Sequence, residues 1–227
     1  MISIVIPTYN EKKNIEMLLP QIFKILKKDA EVIIVDDNST DGTRDSVKEL
    51  MKKFNVRLLK RDKKMGIGSA YKDGFKMAKG DIVFEMDADL SHDPKHLKSF
   101  IEKITEGYDV VVGSRYIKGG KRKDPFYRKI FPAVGNFFYK SLMKSQVRDT
   151  TSGYRAYKRE VLNKIELNDL PNDFSFQAAI LFKLILEKAK VTEIPIDFKD
   201  RMYGETKYSS KELLSNFKFL LKLIYNR

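Results

Sequence analysis

Residues 31–51, EVIIVDDNSTDGTRDSVKELM, hold the pattern that decides the fold. The apolar run Val32–Val35 is continuous rather than alternating, which is typical of a strand buried on both faces of a parallel sheet. A polar turn follows it, and then Val47, Leu50 and Met51 recur at the spacing of one helix face. The stretch therefore predicts a strand, a turn and a helix in succession.

The same succession recurs through the first 113 residues. Four further apolar runs predict strands at Ile4–Ile6, Val56–Leu59, Ile82–Phe84 and Val110–Val112. Two further apolar stripes predict helices, one from Ile15 to Leu26 and one from Leu97 to Ile104. Because strands alternate with helices in this way, the sequence predicts an α/β fold with an open, mostly parallel sheet and flanking helices.

The succession changes after Arg115. The expected elements are a basic loop over 117–129, an amphipathic helix over 130–143, a turn-like segment over 149–155, a helix over Phe174–Lys188, a strand near Val191–Ile196 and a second amphipathic helix over 211–225. The basic loop holds six basic side chains against one acidic. We find no linker, internal repeat or low-complexity segment, so we predict one domain over residues 1–227.

Composition excludes several classes of protein. The 227-residue chain has no cysteine, which excludes disulfides, zinc fingers, iron–sulfur clusters and thiol nucleophiles. Apolar runs recur along the whole chain, which excludes intrinsic disorder. The 44 Lys and Arg residues outnumber the 31 Asp and Glu residues and give a formal net charge of +13. Such a charge favours an anionic partner, which is nucleic acid, lipid headgroups or a phosphorylated substrate.

Four of the five strands predicted in the first 113 residues lead into polar segments that could form a site. These segments are Pro7–Glu11, Asp36–Asp37, Asp87–Asp89 and Ser114–Arg115. Ligands of open α/β sheets bind beyond the carboxyl ends of the strands. The sequence therefore predicts a site at this edge, built from acidic and aromatic side chains of separate strands.

Two acidic pairs at this edge each allow two interpretations. In an extended chain Asp87 and Asp89 point to one side, so their carboxylates could share a divalent ion such as Mg²⁺ or Mn²⁺. Alternatively, one of them caps the next helix and the other is solvated. Asp36 and Asp37 could accept hydrogen bonds from a ribose or a base, or could belong to the turn that follows.

Other motifs are weaker. The glycines of Gly66–Ala70 favour close packing of a loop and a helix over a dinucleotide site, because this segment follows the third strand. His92 and His96 have a spacing that metal ligands use, but surface helix positions explain them better. Arg115, Arg201 and Lys207 suit a diphosphate, or else belong to a solvated basic surface.

The motifs together resemble those of a known family. PTYNE at 7–11, VDDNSTDGT at 35–43 and DADL at 87–90 resemble family 2 glycosyltransferases with a GT-A fold. VVGSRYIKGG at 111–120, DTTSGYRAY at 149–157 and DRMYGETKYS at 200–209 are similar to the polyprenol (dolichyl) phosphate mannose synthases within that family. The resemblance spans essentially the whole chain.

The resemblance implies roles for individual residues. It places Pro7, Tyr9, Glu11, Val35, Asp37, Asp87, Ala88, Ser91, Ile196, Arg201 and Lys207 at the nucleotide sugar, Asp87 and Asp89 at the metal, and Asp89, Arg115, Arg128, Arg201 and Lys207 in the catalytic set. Arg128 matches the family only after a one-residue gap. Ser91 stands where many relatives have Gln, which removes one contact to the metal or the nucleotide. Residues 1–113 would form the nucleotide-binding half, and residues 114–227 the acceptor-binding half with membrane-surface helices.

The implied activity is a metal-dependent, inverting transfer of mannose from GDP-mannose to a polyprenyl (dolichyl) phosphate, with Mg²⁺ or Mn²⁺ as cofactor. UDP-glucose is the main rival donor, because no residue decisively reads guanine. A nucleotide-sugar pyrophosphorylase would have a Gly-rich, basic first loop, which this sequence lacks. A nucleic-acid-binding protein is suggested by charge alone, and without a recognition motif we expect no nucleic-acid partner.

The implied lipid-phosphate acceptor has consequences for the catalytic mechanism and for the location of the protein in the cell. A lipid phosphate is largely anionic at neutral pH, because its second pKa is about 6, so no general base is needed. Segments 130–143 and 211–225 would lie at the membrane surface, or else would be core-facing helices. We expect a peripheral protein on the cytoplasmic face of a membrane, attached by these helices or by a membrane-anchoring partner subunit.

Overall fold

The computed structural model describes residues 1–122, 146–199 and 201–202. Its main strands are β1 (Ile2–Thr8), β2 (Ala30–Asp36), β3 (Val56–Lys60), β4 (Ile82–Glu85), β5 (Val110–Ser114), β7 (Arg155–Lys158) and β8 (Val191–Pro195). Within these described ranges they form a seven-stranded sheet in the order β3-β2-β1-β4-β7-β5-β8. Strand β7 runs antiparallel to both of its neighbours, and the other pairings are parallel. Two short strands, β6 (Lys121–Arg122) and β9 (Asp197–Phe198), pair in parallel beside this sheet.

Helices cover both faces of the sheet. They are α1 (Lys12–Leu26), α2 (Thr43–Met51), α3 (Ile67–Met77), α4 (Leu97–Thr105), α5 (Arg159–Leu162) and α6 (Phe176–Leu186). Ile4 and Ile6 of β1 pack into the core on the side of α1, α2 and α4, whereas Val5 packs into the core on the side of α3 and α6. Burial on both faces explains why the strand sequences are continuous apolar runs.

The predicted strands and helices of the first 113 residues are confirmed, and so are the later helix and strand, as α6 and β8. The prediction for Gly66–Ala70 is also confirmed. A Cβ atom on Gly66 would lie 2.2 Å from the carbonyl oxygen of Asn172, and one on Gly68 would lie 2.5 Å from that of Pro171. These glycines therefore let the start of α3 pack directly against the chain that precedes α6.

Strand β7 was not predicted. The segment 149–155 has turn composition and does turn, but its last residue, Arg155, begins a strand inserted between β4 and β5. Arg155 is fully buried and donates to the carbonyl oxygens of Gln177 and Thr150. Because β7 begins with a charged side chain, its sequence lacks the long continuous apolar run that predicted the other strands.

Several predictions fall on residues that the structure does not describe. Amphipathic segments 130–143 and 211–225, Arg128, Lys207 and most of the basic loop 117–129 lie outside the described residues. Among the residues that are described, no helix is both long and apolar enough to span a bilayer. The single domain and its two halves stay predictions.

Candidate active site

The carboxyl ends of β1, β2 and β4 are neighbours in the sheet, and the acidic segments that follow them meet there. Glu11 comes from the turn after β1, Asp37 from the turn after β2, and Asp87 and Asp89 from the turn after β4. The side chains of Glu11 and Asp89 are 6% and 13% exposed, so both lie in a recess of the protein.

Arg201 joins two of these turns. Its Nη2 donates to Oδ2 of Asp89 at 3.1 Å, and its Nη1 lies 3.8 Å from Oε1 of Glu11. The backbone N–H of Ser91 donates to the other oxygen of Asp89, also at 3.1 Å. A guanidinium group thus occupies the space between two carboxylates of separate strands.

Asp87 lies beside this bridge and has a strongly shifted pKa. About a third of its side chain is open to the site (32%), while the surrounding protein removes much of its hydration. This desolvation, together with the nearby charge of Asp89, raises the pKa of Asp87 to about 7. Its Oδ1 accepts a hydrogen bond of 3.1 Å from the hydroxyl of Tyr71.

The acidic pair fits a hard divalent cation. Neighbouring carboxylates that resist ionising together are stabilised as a pair by a positive charge, and their oxygen atoms match the preference of Mg²⁺ and Mn²⁺. In the described part of the chain, no three His, Cys, Asp or Glu side chains gather into a group that could hold a metal ion. Mg²⁺ is commonly held by one or two protein carboxylates, and substrate phosphates supply its other ligands. Asp87 and Asp89 offer the two carboxylates.

His92 does not lie at the surface, so that prediction was wrong. Its ring is 2% exposed and stacks on Tyr154 with 4.9 Å between the ring centroids. Its Nδ1 accepts from the backbone N–H of Asp87 at 3.1 Å, and burial lowers its pKa to about 4. His96 is half-buried, and its Nε2 accepts from the backbone N–H of Asp197.

Arg115 is held by a buried carboxylate. Its Nε and Nη2 donate to the two oxygens of Asp149 at 2.7 and 2.6 Å, and its Nη2 also reaches the hydroxyl of Thr151. Asp149 is fully buried, and its own backbone N–H donates to Glu193 at 3.0 Å. The pKa of Asp149 is lowered, because the charge and hydrogen bonds of Arg115 outweigh the effect of burial. The geometry therefore assigns Arg115 a fixed position, and its contact with phosphate stays a prediction.

Sequence comparison decides the family. Residues 3–166 match the family described as Glycosyl transferase family 2. The chain belongs to this family.

Two relatives within it have printed activities. Dolichol-phosphate mannosyltransferase of Pyrococcus furiosus is 38% identical over 229 aligned residues, which cover 98% of this chain and 63% of that protein. The chain thus spans less than two thirds of that relative's length. Polyprenol monophosphomannose synthase of Mycolicibacterium smegmatis is 34% identical over 217 residues, covering 92% of this chain and 82% of that protein.

Solved structures share the fold. Glucosyl-3-phosphoglycerate synthase of Mycobacterium tuberculosis, in complex with Mn²⁺, UDP-glucose and phosphoglyceric acid, has a TM-score of 0.78 and 18% identity, covering 98% of this chain and 79% of that one. The same enzyme with UDP has a TM-score of 0.74 and 19% identity, covering 100% and 79%. The likeness confirms the predicted GT-A architecture.

The two aspartates at the carboxyl end of β2 in this family 2 chain have different surroundings. Asp36 is fully buried and accepts from the hydroxyl of Thr8 at 2.9 Å, from the backbone of Ser39 at 3.0 Å and from Arg44. Asp37 is held by Arg61, a buried guanidinium that also donates to Ser69. Burial raises the pKa of Asp37, although the charge of Arg61 opposes the shift. Asp36 therefore belongs to the scaffold, whereas the contact of Asp37 with a nucleotide stays a prediction.

The remaining predicted residues differ in exposure. Val35, Ala88, Ser91 and Ile196 are buried, whereas Pro7 and Tyr9 are half-buried. The Nζ atom of Lys64 lies 5.2 Å from the centre of the Tyr9 ring. The hydroxyl of Ser91 has no hydrogen-bond partner among the described residues.

Sequence reasoning missed four residues that shape the site of this family 2 protein. They are Tyr71, His92, Arg61 and Asp149, each of which touches a predicted site residue. Asp149 lies in a motif that was recognised, but its partner Arg115 is 34 residues away. No periodic or local signal in the sequence could have linked such pairs.

Proposed function

We propose that this chain is a metal-dependent, inverting glycosyltransferase that moves mannose from GDP-mannose to a polyprenyl (dolichyl) phosphate at a membrane surface. The observation that carries the proposal is the bridge of Arg201 between Glu11 and Asp89, beside Asp87. Carboxylates suited to a divalent cation and an arginine suited to phosphates lie together there, which is what a diphosphate leaving group requires. The names of the Pyrococcus furiosus and Mycolicibacterium smegmatis relatives support mannose as the sugar and a lipid phosphate as the acceptor.

Asp87 and Asp89 would hold Mg²⁺ or Mn²⁺ together with the diphosphate of the donor. When bound, the cation supplies charge that stabilises the departing diphosphate. The Mn²⁺ in complexes of the Mycobacterium tuberculosis enzyme supports this assignment. The acidic residues would thus bind the cation, and the basic residues around them would bind the anionic groups of the substrates.

The reaction balances without a general base. An oxygen of the acceptor phosphate forms a bond to the anomeric carbon of mannose, on the face opposite to the diphosphate. The bond from that carbon to the diphosphate breaks, and its electron pair leaves with GDP. Because the acceptor oxygen is already anionic, no proton has to be removed from it. The protein must hold two anions near one carbon, and Arg115 and Arg201 would do so, joined by Arg128 and Lys207 from outside the described residues.

The nucleotide would lie along the ends of β1 and β2. Asp37, held by Arg61, offers an acceptor for a base or ribose, and Tyr9 offers a half-buried ring. UDP-glucose is a second candidate donor, favoured by its presence in a solved structure of the same fold. Donor choice therefore has to be decided by competition between nucleotide sugars.

Membrane attachment forms part of the proposal. The protein would act as a peripheral enzyme on the cytoplasmic face of a membrane, held there by segments 130–143 and 211–225 or by an anchoring partner subunit. Both segments combine Phe or Leu at helical spacing with Lys, which suits an interfacial helix. Flotation with anionic liposomes tests this, and Phe137→Ser with Phe138→Ser should weaken it. Unchanged flotation would instead assign these rings to the protein core.

The decisive assay offers the protein one nucleotide sugar at a time with a radiolabelled polyprenyl phosphate and Mn²⁺ or Mg²⁺. We expect a glycolipid from GDP-mannose and none from unphosphorylated polyprenol. A product from UDP-glucose alone would establish the second candidate. Absence of glycolipid with every donor would refute both.

A further inference from the structure

Two side chains with no direct part in the proposed reaction, Tyr71 and His92, lie next to the carboxylate of Asp87. The hydroxyl of Tyr71 donates to its Oδ1 at 3.1 Å. The ring of His92 lies on the other side, with Nε2 3.8 Å from Oδ2 of Asp87. Gly153 lies on this side as well, where an added Cβ atom would lie 3.5 Å from Oδ2 in ordinary van der Waals contact.

The tautomer of His92 follows from the hydrogen bond that its Nδ1 accepts. Because Nδ1 accepts from the backbone N–H of Asp87, it carries no proton. The ring proton therefore lies on Nε2, the nitrogen that faces Asp87. His92 thus fixes the backbone of Asp87 and presents an N–H dipole to the carboxylate.

The rings of Tyr71 and His92 are both held in place by aromatic stacking. Tyr71 is fully buried in α3 and stacks on Phe176 of α6, with ring centroids 5.9 Å apart. His92 stacks on Tyr154 at 4.9 Å with an angle of 15° between the planes. Side chains locked in this way can orient a neighbouring carboxylate, whereas mobile ones could not.

We propose that Tyr71 and His92 are positioning residues that hold the carboxylate of Asp87 in one orientation, with its remaining lone pairs directed to the cation and diphosphate. The inference rests on the proposed function, because it assumes that Asp87 is a metal ligand. Hydrogen-bonded outer partners of a ligating group fix its direction, and their loss typically lowers metal affinity by about 10- to 100-fold. Tyr71 makes the direct bond, so its loss should have the larger effect.

Metal binding to the whole protein tests the inference without sugar transfer. Mn²⁺ affinity is measured by electron paramagnetic resonance in the presence of GDP, for the wild type and Tyr71→Phe. The variant keeps the stacked ring and loses only the donor, and we expect its Kd for Mn²⁺ to rise about tenfold. Tyr154→Phe is the matched control, because it removes an equally buried hydroxyl that donates instead to the backbone oxygen of Asp93.

Two variants separate the effect of the polar nitrogens of His92 from the effect of its ring size. His92→Phe keeps a ring against Tyr154 but offers neither an acceptor nor a donor, so it should weaken Mn²⁺ binding. His92→Gln can still accept from the backbone of Asp87 and donate to its carboxylate, so it should restore much of the affinity. A merely structural role would lower the Tm of these variants and of Tyr154→Phe without a selective change in Kd.

The outcomes separate this inference from the proposed function. Weakened Mn²⁺ binding in Tyr71→Phe, in a protein that makes no glycolipid, would support the positioning role and refute the transfer reaction. Equal Mn²⁺ affinity in the wild type, Tyr71→Phe and His92→Phe would overturn the inference even if glycolipid forms. No Mn²⁺ binding by the wild type with GDP would overturn it as well.

Discussion

Arg201 occupies the space between Glu11 and Asp89, and its replacement by Gln should have two opposite effects. A cation that binds Asp89 has to displace the guanidinium, so Arg201→Gln should bind Mn²⁺ more tightly in the absence of nucleotide. Arg201 is also an arginine that we propose contacts the donor phosphates, so the same variant should bind GDP less tightly and transfer sugar more slowly. Opposite changes in the two affinities would distinguish displacement from general damage.

The size of the effect follows from the contacts. The bond from Arg201 to Asp89 is a charge-assisted hydrogen bond of 3.1 Å, whereas the 3.8 Å approach to Glu11 is a weaker ion pair. The arginine side chain is 21% exposed, so water screens part of the attraction. We therefore take a net contribution of about 1.4 kcal/mol for the displaced contacts, which corresponds to about a tenfold lower Kd for Mn²⁺.

Isothermal titration of Mn²⁺ into the nucleotide-free protein measures this change. Lys199→Gln is the matched control. It also removes one positive charge, two residues before Arg201, but Lys199 is exposed and pairs with Asp93. Its Kd for Mn²⁺ should stay within about twofold of the wild type, because exposed ion pairs contribute little. An equal Kd in Arg201→Gln and Lys199→Gln would refute the idea that the guanidinium occupies the place of the cation.

Three further predictions concern the acidic site and the scaffold around it. Asp89→Asn should lower glycolipid formation at least about a hundredfold while the circular dichroism spectrum is retained, and a smaller loss would exclude Asp89 as a metal ligand. Asp149→Asn should cost about 3 kcal/mol in urea unfolding at neutral pH, because the largely buried guanidinium of Arg115 then loses the charge of the Asp149 carboxylate. The pKa of Asp149 is lowered in the folded protein, so its contribution is present above its unfolded pKa and is lost as pH falls through the folded value; the variant and wild type should therefore converge in acid. Gly68→Ala should cost about 1–3 kcal/mol in the same assay, because its methyl group would lie 2.5 Å from the carbonyl oxygen of Pro171.

Local sequence patterns predicted the parts of the fold whose physical cause is local. The runs in β1, β2, β4 and β5 are apolar because both faces of the sheet are covered. Consecutive residues of each strand must therefore be apolar, and the sequence shows this directly. Strand β7 has another cause. Its polar first residue, Arg155, is accommodated by carbonyl oxygens of residues 150 and 177, so pairing depends on distant chain rather than on its own composition.

The same distinction holds within the site. The positions of Asp87 and Asp89 could be predicted, because any polar residue that follows a buried parallel strand arrives at the carboxyl edge of the sheet. The place of His92 could not, since its burial depends on Tyr154, a residue 62 positions away in a segment of turn composition. Spacing alone suggested a helix surface, whereas tertiary packing put the imidazole against the backbone of Asp87.

The number of hydrogen bonds already accepted from the protein distinguishes Asp36 from Asp87, and it supports different proposed roles for the two carboxylates. A carboxylate has about four lone-pair positions, and Asp36 receives four donors from the protein, two of them from Ser39 and one each from Thr8 and Arg44. Such a carboxylate has no lone pair left for a nucleotide. Asp87 accepts one hydrogen bond within the described ranges, from Tyr71, although it lies in an equally polar turn. Its free acceptor positions, its raised pKa and its opening to the site together make it a carboxylate that a cation can complete, and this is why Asp36→Asn should destabilise the fold while Asp87→Asn should remove metal binding.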